Sequence, residues 1–365
     1  MRIAIDARMI KPGTMHGIAR YVFHLIYCLL NLLAEQDMLF ILVNHKSPLL
    51  ASKWPKNVKL LTMRSSWISF SEQLELPFIL WRYKVDLFHA PSFVAPIFCP
   101  CPMVMTIHDL NHLVLPQFYT PVHFFYYQVF VKRCIQKSRV LLTVSHFSKK
   151  EIVAHLKVDP TKIFVTYNGV SPTYKPVADK LMSEYIRDLY ELPQEFVLCV
   201  SNNKPHKNLH QLVRAYCFSQ IKIPLVLACE VDSKLIEIAE TYGKKHLIFF
   251  SRFIAEEHLP TIYSLAKLFV YPSTYEGFGL PPLEALSCGV PVLVSKTASL
   301  PEVLGDNAYF VDPYNFHEMA QGLEMALEAK EDAQRDKRIK YVERFSWQKM
   351  ANETIEIYKT ASRNS

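Results

Sequence analysis

Apolar runs of about five residues recur along this chain, and the stretches between them carry apolar positions at helical spacing. In the first half RIAIDA, LFILVN, VKLLTM, DLFHA and PMVMTIHD read as strands, followed by RVLLTVS and KIFVTYNGV. In the second half EFVLCVS, IPLVLACE, LIFFSR, KLFVYPS and PVLVSK continue the series. Runs without polar alternation suit strands buried on both faces of a parallel sheet. Helices are predicted between them, for example over Gly17 to Leu33, Ser145 to His155 and His206 to Ser219. Strand–helix alternation predicts doubly wound α/β domains. The expected fold is two facing Rossmann-like domains with an interdomain cleft.

Length agrees, since 365 residues suit two domains. The polar, proline-containing SPTYKPVADK, residues 171–180, reads as the joint. The expected division is an N-terminal domain over 1–172, a C-terminal domain over 180–345, and a closing helix in 346–365 that packs back across the joint.

Composition narrows the class. Half the residues are hydrophobic and 21% are charged, which describes a globular chain. A net charge of +7 fits an anionic substrate, an anionic membrane surface or plain solubility. Without a run of like charges, nucleic acid is not an expected partner. Of the eight cysteines only Cys99 and Cys101 are close, as C-P-C, and no C-x-x-C pair suggests zinc. A reducing cytoplasm is the expected compartment. MRIAIDAR reads as a strand rather than a signal peptide. The apolar stretch from Tyr21 to Val43 is broken by His24, Asn31, Glu35, Gln36 and Asp37, so it reads as helix, turn and strand rather than a membrane span. Residues 116–138, PQFYTPVHFFYYQVFVKRCIQKS, admit two readings. The favoured one is a core helix with its aromatics inward. The other is a lipid- or acceptor-facing helix, which would give peripheral contact with the inner face of a membrane.

Ligands of open α/β sheets bind at the carboxyl ends of strands. The strongest junction is YPSTYEGFGLPPLEALSCGVP, residues 271–291. A strand ends there in a turn containing Glu276, Gly277, Phe278 and Gly279, and a helix follows from Pro281, where proline's missing N–H costs nothing. Glycines let the backbone approach a ligand, and the N–H groups of Gly279 and Leu280 at a helix N-terminus favour a phosphate. Glu276 and Glu284 flank that position. Carboxylates accept hydrogen bonds from vicinal hydroxyls, so the set suits a sugar–diphosphate–ribose. Taken alone, an E-x7-E spacing reads better as a capped loop with Glu284 solvated; the glycines and proline at the junction turn the balance to the ligand reading.

The run YEGFGLPPLEALSCGVPVLVSKTASLPEVLGDNAYFVDP resembles the donor-binding signature of family-4 retaining glycosyltransferases. GIARYVFHL, TIHDL, VSHFSKKEI, YNGV, HKNLHQLVRAY and the closing FSW extend the resemblance over nearly the whole chain. It implies a GT-B fold, a nucleotide-sugar donor, no metal or cofactor, and retention of anomeric configuration. By the same resemblance Glu276 contacts donor sugar hydroxyls with help from the N–H groups of Gly277, Phe278 and Gly279. Leu280 N–H touches a phosphate, Glu284 holds the ribose, and Lys207 neutralises the diphosphate. His108, in TIHDL, lies near the transferred sugar, with Asp109 orienting it or its loop. Gly17 opens a helix beside the donor phosphates. Two departures stand out. His206 replaces an arginine common beside this lysine, with Ser201 after the strand. Ser251-Arg252 stands where glycine is frequent, with Phe253 bordering the base.

The implied activity is hexosyl transfer to a glycan or lipid-linked acceptor in surface polysaccharide synthesis. The resemblance to bacterial polysaccharide mannosyltransferases makes mannose from GDP-mannose the first expectation, with UDP-glucose and others open. The alternatives are a non-catalytic nucleotide-sugar-binding protein and a GT-B epimerase. A dinucleotide dehydrogenase is disfavoured, because DARMIKPGTMHG lacks G-x-G-x-x-G.

Overall fold

The computed structural model describes residues 1–13, 17–67, 69–118, 130–251, 254–328 and 334–363. The chain forms two compact units. One comprises Met1–Gly169 with Ser346–Ser365, the other Val170–Phe345.

The first unit is built on seven parallel strands: β1 (Arg2–Asp6), β2 (Met38–Asn44), β3 (Val58–Met63), β4 (Leu87–Ala90), β5 (Met103–Ile107), β6 (Val140–Thr143) and β7 (Ile163–Val165). Their order is β3-β2-β1-β4-β5-β6-β7. The central strands are buried on both faces, as their unbroken apolar runs require. The helix Gly17–Leu29 stops short of Leu33 and packs against the last helix, Trp347–Arg363. The His24 and Trp347 rings stack there, 4.6 Å apart. Beneath them runs a buried polar chain. Tyr358 OH lies 2.5 Å from His89 Nδ1, His89 Nε2 lies 2.7 Å from Thr106 Oγ1, and Tyr21 OH lies 3.2 Å from that hydroxyl.

Burial, with the nearby His108, pushes the His89 imidazole down to about 3. Burial and Arg20 hold His24 at about 4. Both rings lie below the ordinary histidine value of about 6.5, so below that pH the unfolded chain binds the extra protons. Stability is therefore expected to fall as pH drops from about 6.5 towards 4. Urea midpoints read across that range check this, and His89→Gln should flatten the slope. An unchanged slope in His89→Gln would show that His89 carries none of it.

At the carboxyl end of β1, Arg8 is fully buried between two carboxylates. Its guanidinium donates to both oxygens of Asp6 (2.9 and 2.7 Å) and to Glu72 Oε2 (3.0 Å). Burial opposes its charge, but the two carboxylates outweigh burial and raise its pKa.

The second unit has six parallel strands: β8 (Val197–Val200), β9 (Leu225–Ala228), β10 (Ile248–Phe250), β11 (Leu268–Tyr271), β12 (Val292–Ser295) and β13 (Tyr309–Val311). Their order is β10-β9-β8-β11-β12-β13. The edge strand β13 was not among the expected strands, because only three residues form it and Tyr309 and Phe310 are half-buried. The expected helix over His206 to Ser219 is also corrected. Pro205–Lys207 form a 3-10 turn, Asn208 takes φ +60°, and the α-helix begins at Leu209. The Asn208 side-chain amide compensates by donating to the carbonyls of Pro272 (3.3 Å) and Pro313 (2.7 Å). Asparagine tolerates this left-handed backbone better than most residues.

Residues 171–180 lie within the second unit. The Val177 N–H donates to Ser264 Oγ (3.1 Å), and Ser287 Oγ donates to the Tyr174 carbonyl (2.7 Å). In the first unit Gly169 lies tight against Ser346–Trp347. A Cβ there would sit 2.6 Å from the Ser346 carbonyl carbon and 2.7 Å from Trp347 Cγ, and closer still to the Trp347 nitrogen. Among the described residues no helix is long and apolar enough to cross a membrane. Of segment 116–138, residues 119–129 lie outside the described residues, and Val131, Cys134 and Ile135 are buried in the first unit's core.

Candidate functional site: the loop after β11

β11 is fully buried and delivers Tyr271 to the carboxyl edge of its sheet. The chain then runs through 272–279 into the helix Leu280–Ser287. Gly279 turns this corner at φ +94°, where a Cβ would meet Leu300 Cδ2 at 2.6 Å. Glycine is thus favoured by conformation, and a side chain there would also have to displace the Leu300 methyl. The loop is stitched to the turn after β8. Ser273 Oγ (3.1 Å), Thr274 N (2.8 Å) and Thr274 Oγ1 (3.2 Å) all donate to the His206 carbonyl. On its other side Ser299 Oγ donates to the Glu276 carbonyl (2.9 Å).

This stitching brings Lys207 to Glu276. Lys207 Nζ lies 2.5 Å from Glu276 Oε1 and donates to Tyr271 OH at 2.8 Å, while Tyr271 OH donates to Glu276 Oε1 at 2.9 Å. The two charged side chains are only 12% and 14% exposed. Burial works against both charges, yet the mutual attraction wins: Lys207 is raised and Glu276 lowered from their ordinary values. The sign follows for each group. The Glu276 contribution is complete above about 4.3 and fades as pH falls through its lowered value. The Lys207 contribution is complete below about 10.4 and fades only as pH rises through its raised value. The pair is therefore intact throughout the physiological range.

Glu284, in the helix Leu280–Ser287, is 3% exposed and accepts from Tyr263 OH at 3.2 Å. A solvated helix carboxylate is thus excluded. Phe278 is buried edge-on against Phe345, so its ring packs the unit's core. Gly277 is buried beside it, and Leu280 is half-buried at the helix start. His206 is also buried, and its carbonyl is what fixes the neighbouring loop. Lys207, Glu276 and the Gly279–Leu280 corner thus assemble on one carboxyl edge. Lys207 and Glu276, expected to meet separate parts of a ligand, are here each other's partners. The bridging tyrosine was not anticipated, although Tyr271 opens the 271–291 motif itself.

In the first unit His108 follows β5. Its Nε2–H donates to the Pro91 carbonyl (3.0 Å), and its ring stands edge-on to Tyr21, 4.8 Å away. Burial lowers its pKa, opposed by the Pro91 bond and Asp109. Asp109 Oδ1 accepts from Asn111 N–H (3.0 Å), so it shapes the following turn. Gly17 starts the first helix with nothing within 4 Å of an added Cβ. Arg252 and Phe253 lie outside the described residues.

The electrostatics suit a ligand bearing both anionic and hydroxyl groups, because a fixed ammonium and a fixed carboxylate stand side by side. Residues 187–345 match the model of glycosyl transferases group 1, and residues 15–174 match that of glycosyltransferase family 4. The O-antigen chain mannosyltransferase B of Escherichia coli is 30% identical over 288 residues, 76% of this chain and 75% of its own. The Escherichia coli serotype-specific mannosyltransferase WbdA is 31% identical over 204 residues, 53% of this chain; the match spans only 25% of that longer protein. The crystal structure of Anabaena HepE in complex with UDP-glucose superposes with a TM-score of 0.76 over 99% of this chain and 100% of that one, at 18% identity. That last likeness speaks for the fold of two Rossmann-like units. Together, the two matched models and the O-antigen relative make this chain a member of glycosyltransferase family 4, an enzyme with the GT-B fold.

Proposed function

We propose that this enzyme is a retaining, metal-independent hexosyltransferase that grips a nucleotide-sugar donor at the loop after β11. The carrying observation is the Lys207–Tyr271–Glu276 cluster beside the Gly279 corner. When the glycosidic bond to the β-phosphate breaks, negative charge grows on the departing diphosphate. In this reading Lys207 and the N–H groups at Leu280 stabilise it. Glu276 accepts from sugar hydroxyls once Lys207 turns to phosphate, and Glu284 accepts from the ribose hydroxyls alongside Tyr263. For His108 and Gly17 we propose the roles implied by family membership, at the transferred sugar and at the donor phosphates.

The relatives' names support mannose, and so GDP-mannose, as the donor to try first, with a glycan or lipid-linked acceptor in surface polysaccharide synthesis. UDP-glucose is the second donor to try, because the HepE structure holds it. We place the enzyme in the cytoplasm. A thermal-shift panel of GDP-, UDP-, ADP- and dTDP-sugars in EDTA tests the reading. One donor is expected to raise the melting temperature without added metal. A shift that demands Mg²⁺ would overturn the metal-free part. Glu284→Ala should weaken binding of that donor by about 10- to 100-fold, the worth of one or two hydrogen bonds to a charged group. Titration calorimetry measures it; unchanged affinity would remove Glu284 from the ribose.

A further inference from the structure

The helix Glu72–Arg82 shows two contrasting faces. Leu76 and Leu80 are buried in the first unit's core. Leu74, Phe78 and Trp81, at i, i+4 and i+7, share the opposite face and are 80%, 59% and 66% exposed. Phe98, 70% exposed, stands on a loop tied to the same helix. The Gln73 amide donates to the Ala95 carbonyl (3.1 Å) and accepts from Ile97 N–H (2.9 Å). Farther along, Pro100 and Trp81 line one depression with Leu80, Arg82, Lys84 and Val85. Isolated exposed apolar residues are ordinary, but four large ones on adjoining elements are not.

Charge decides what suits this face. Both acids of the helix are engaged inward. Glu72 is buried on Arg8 (3.0 Å). Glu75 accepts from the N–H groups of Arg64 (2.8 Å) and Ser65 (2.6 Å), and these bonds hold its pKa down against burial. At the helix end Arg82 and Lys84 are exposed. Lys59 lies over the Tyr83 ring at 4.9 Å, and the Arg2 guanidinium donates to the Tyr83 carbonyl (3.0 and 2.8 Å). Against these four cations stands Asp86, whose carboxylate accepts from Arg2 N–H (2.7 Å). An apolar, aromatic face edged by cations is complementary to an anionic lipid surface: the rings enter the interface and the cations meet phosphates.

We propose that Leu74, Phe78, Trp81 and Phe98 dock this protein on an anionic phospholipid bilayer, with Arg82 and Lys84 seated on lipid phosphates. The surface belongs to a helix and loop that contribute no residue to the candidate donor site, so its test is independent of the donor reading. Full-length protein is sedimented with vesicles of phosphatidylcholine alone or mixed with phosphatidylglycerol. Binding is expected to be at least about tenfold tighter to the mixed vesicles and to weaken with salt. Phe78→Ser with Trp81→Ser, and separately Arg82→Glu with Lys84→Glu, should each weaken it by about tenfold or more. Because these side chains are exposed, both variants should keep the wild-type melting temperature and donor-induced shift. Equal binding by wild type and variants would overturn the proposal. So would a lack of preference for the anionic vesicles. A light-scattering mass showing a dimer that the Phe78/Trp81 variant abolishes, without vesicle binding, would assign the face to a second copy of the chain and likewise overturn it.

Discussion

Replacing Lys207 with alanine is expected to slow sugar transfer by about 100- to 1000-fold, the usual cost of removing one fixed charge-stabilising group from a reacting centre. The same change should also destabilise the fold. Glu276 would remain largely buried without its cation, although Tyr271 and Ser273 would still face its carboxylate, and breaking a buried ion pair from one side costs about 3–5 kcal/mol. The two effects are separable. The double variant Lys207→Ala, Glu276→Ala leaves no orphaned charge and should regain much of the lost stability, while transfer stays low. Urea denaturation and release of nucleoside diphosphate measure the two quantities side by side. Transfer within tenfold of wild type in Lys207→Ala would mean that another group serves the leaving phosphate.

Gly169→Ala should be the most damaging small substitution in the first unit. The new methyl would be driven into the backbone of Ser346 and Trp347, and backbone, unlike a flexible side-chain tip, has no room to yield. Forced overpacking costs about 1–3 kcal/mol and at times more, and here the upper end is expected because the obstructing atoms are main chain. The readout is the urea midpoint together with the fluorescence of Trp347, which should change as its stack on His24 loosens. Gly17→Ala is the contrast, since an added Cβ there meets nothing within 4 Å. Equal midpoints for the two variants would refute the steric argument.

Most strands were legible because burial on both faces writes an unbroken apolar run, as in β1, β5 and β11. β13 escaped because an edge strand of three residues, two of them half-buried, leaves so short a trace. The kink at Asn208 was hidden for a different reason. Its compensating partners are the carbonyls of Pro272 and Pro313, remote in sequence, and local spacing contains neither. The site followed the same division. Glu276 and the Gly279 corner could be picked out from residue type and junction, whereas Lys207 stood out only through the family resemblance. The pairing of Lys207 with Glu276 was not legible, because they lie 69 residues apart and meet only when the turn after β8 is stitched to the loop after β11. The burial of Arg8 between Asp6 and Glu72 was similarly illegible, since Glu72 lies 64 residues downstream.

The first unit takes its last helix, Trp347–Arg363, from beyond the second unit. On the ribosome the nascent second unit has all its residues in hand by Phe345, while the first still lacks Met350, Ala351, Ile355 and Tyr358, which cover Gly17–Leu29 and cap His89. The part synthesised first is thus completed last, and a chain interrupted before Trp347 leaves an apolar helix face bare and prone to clump.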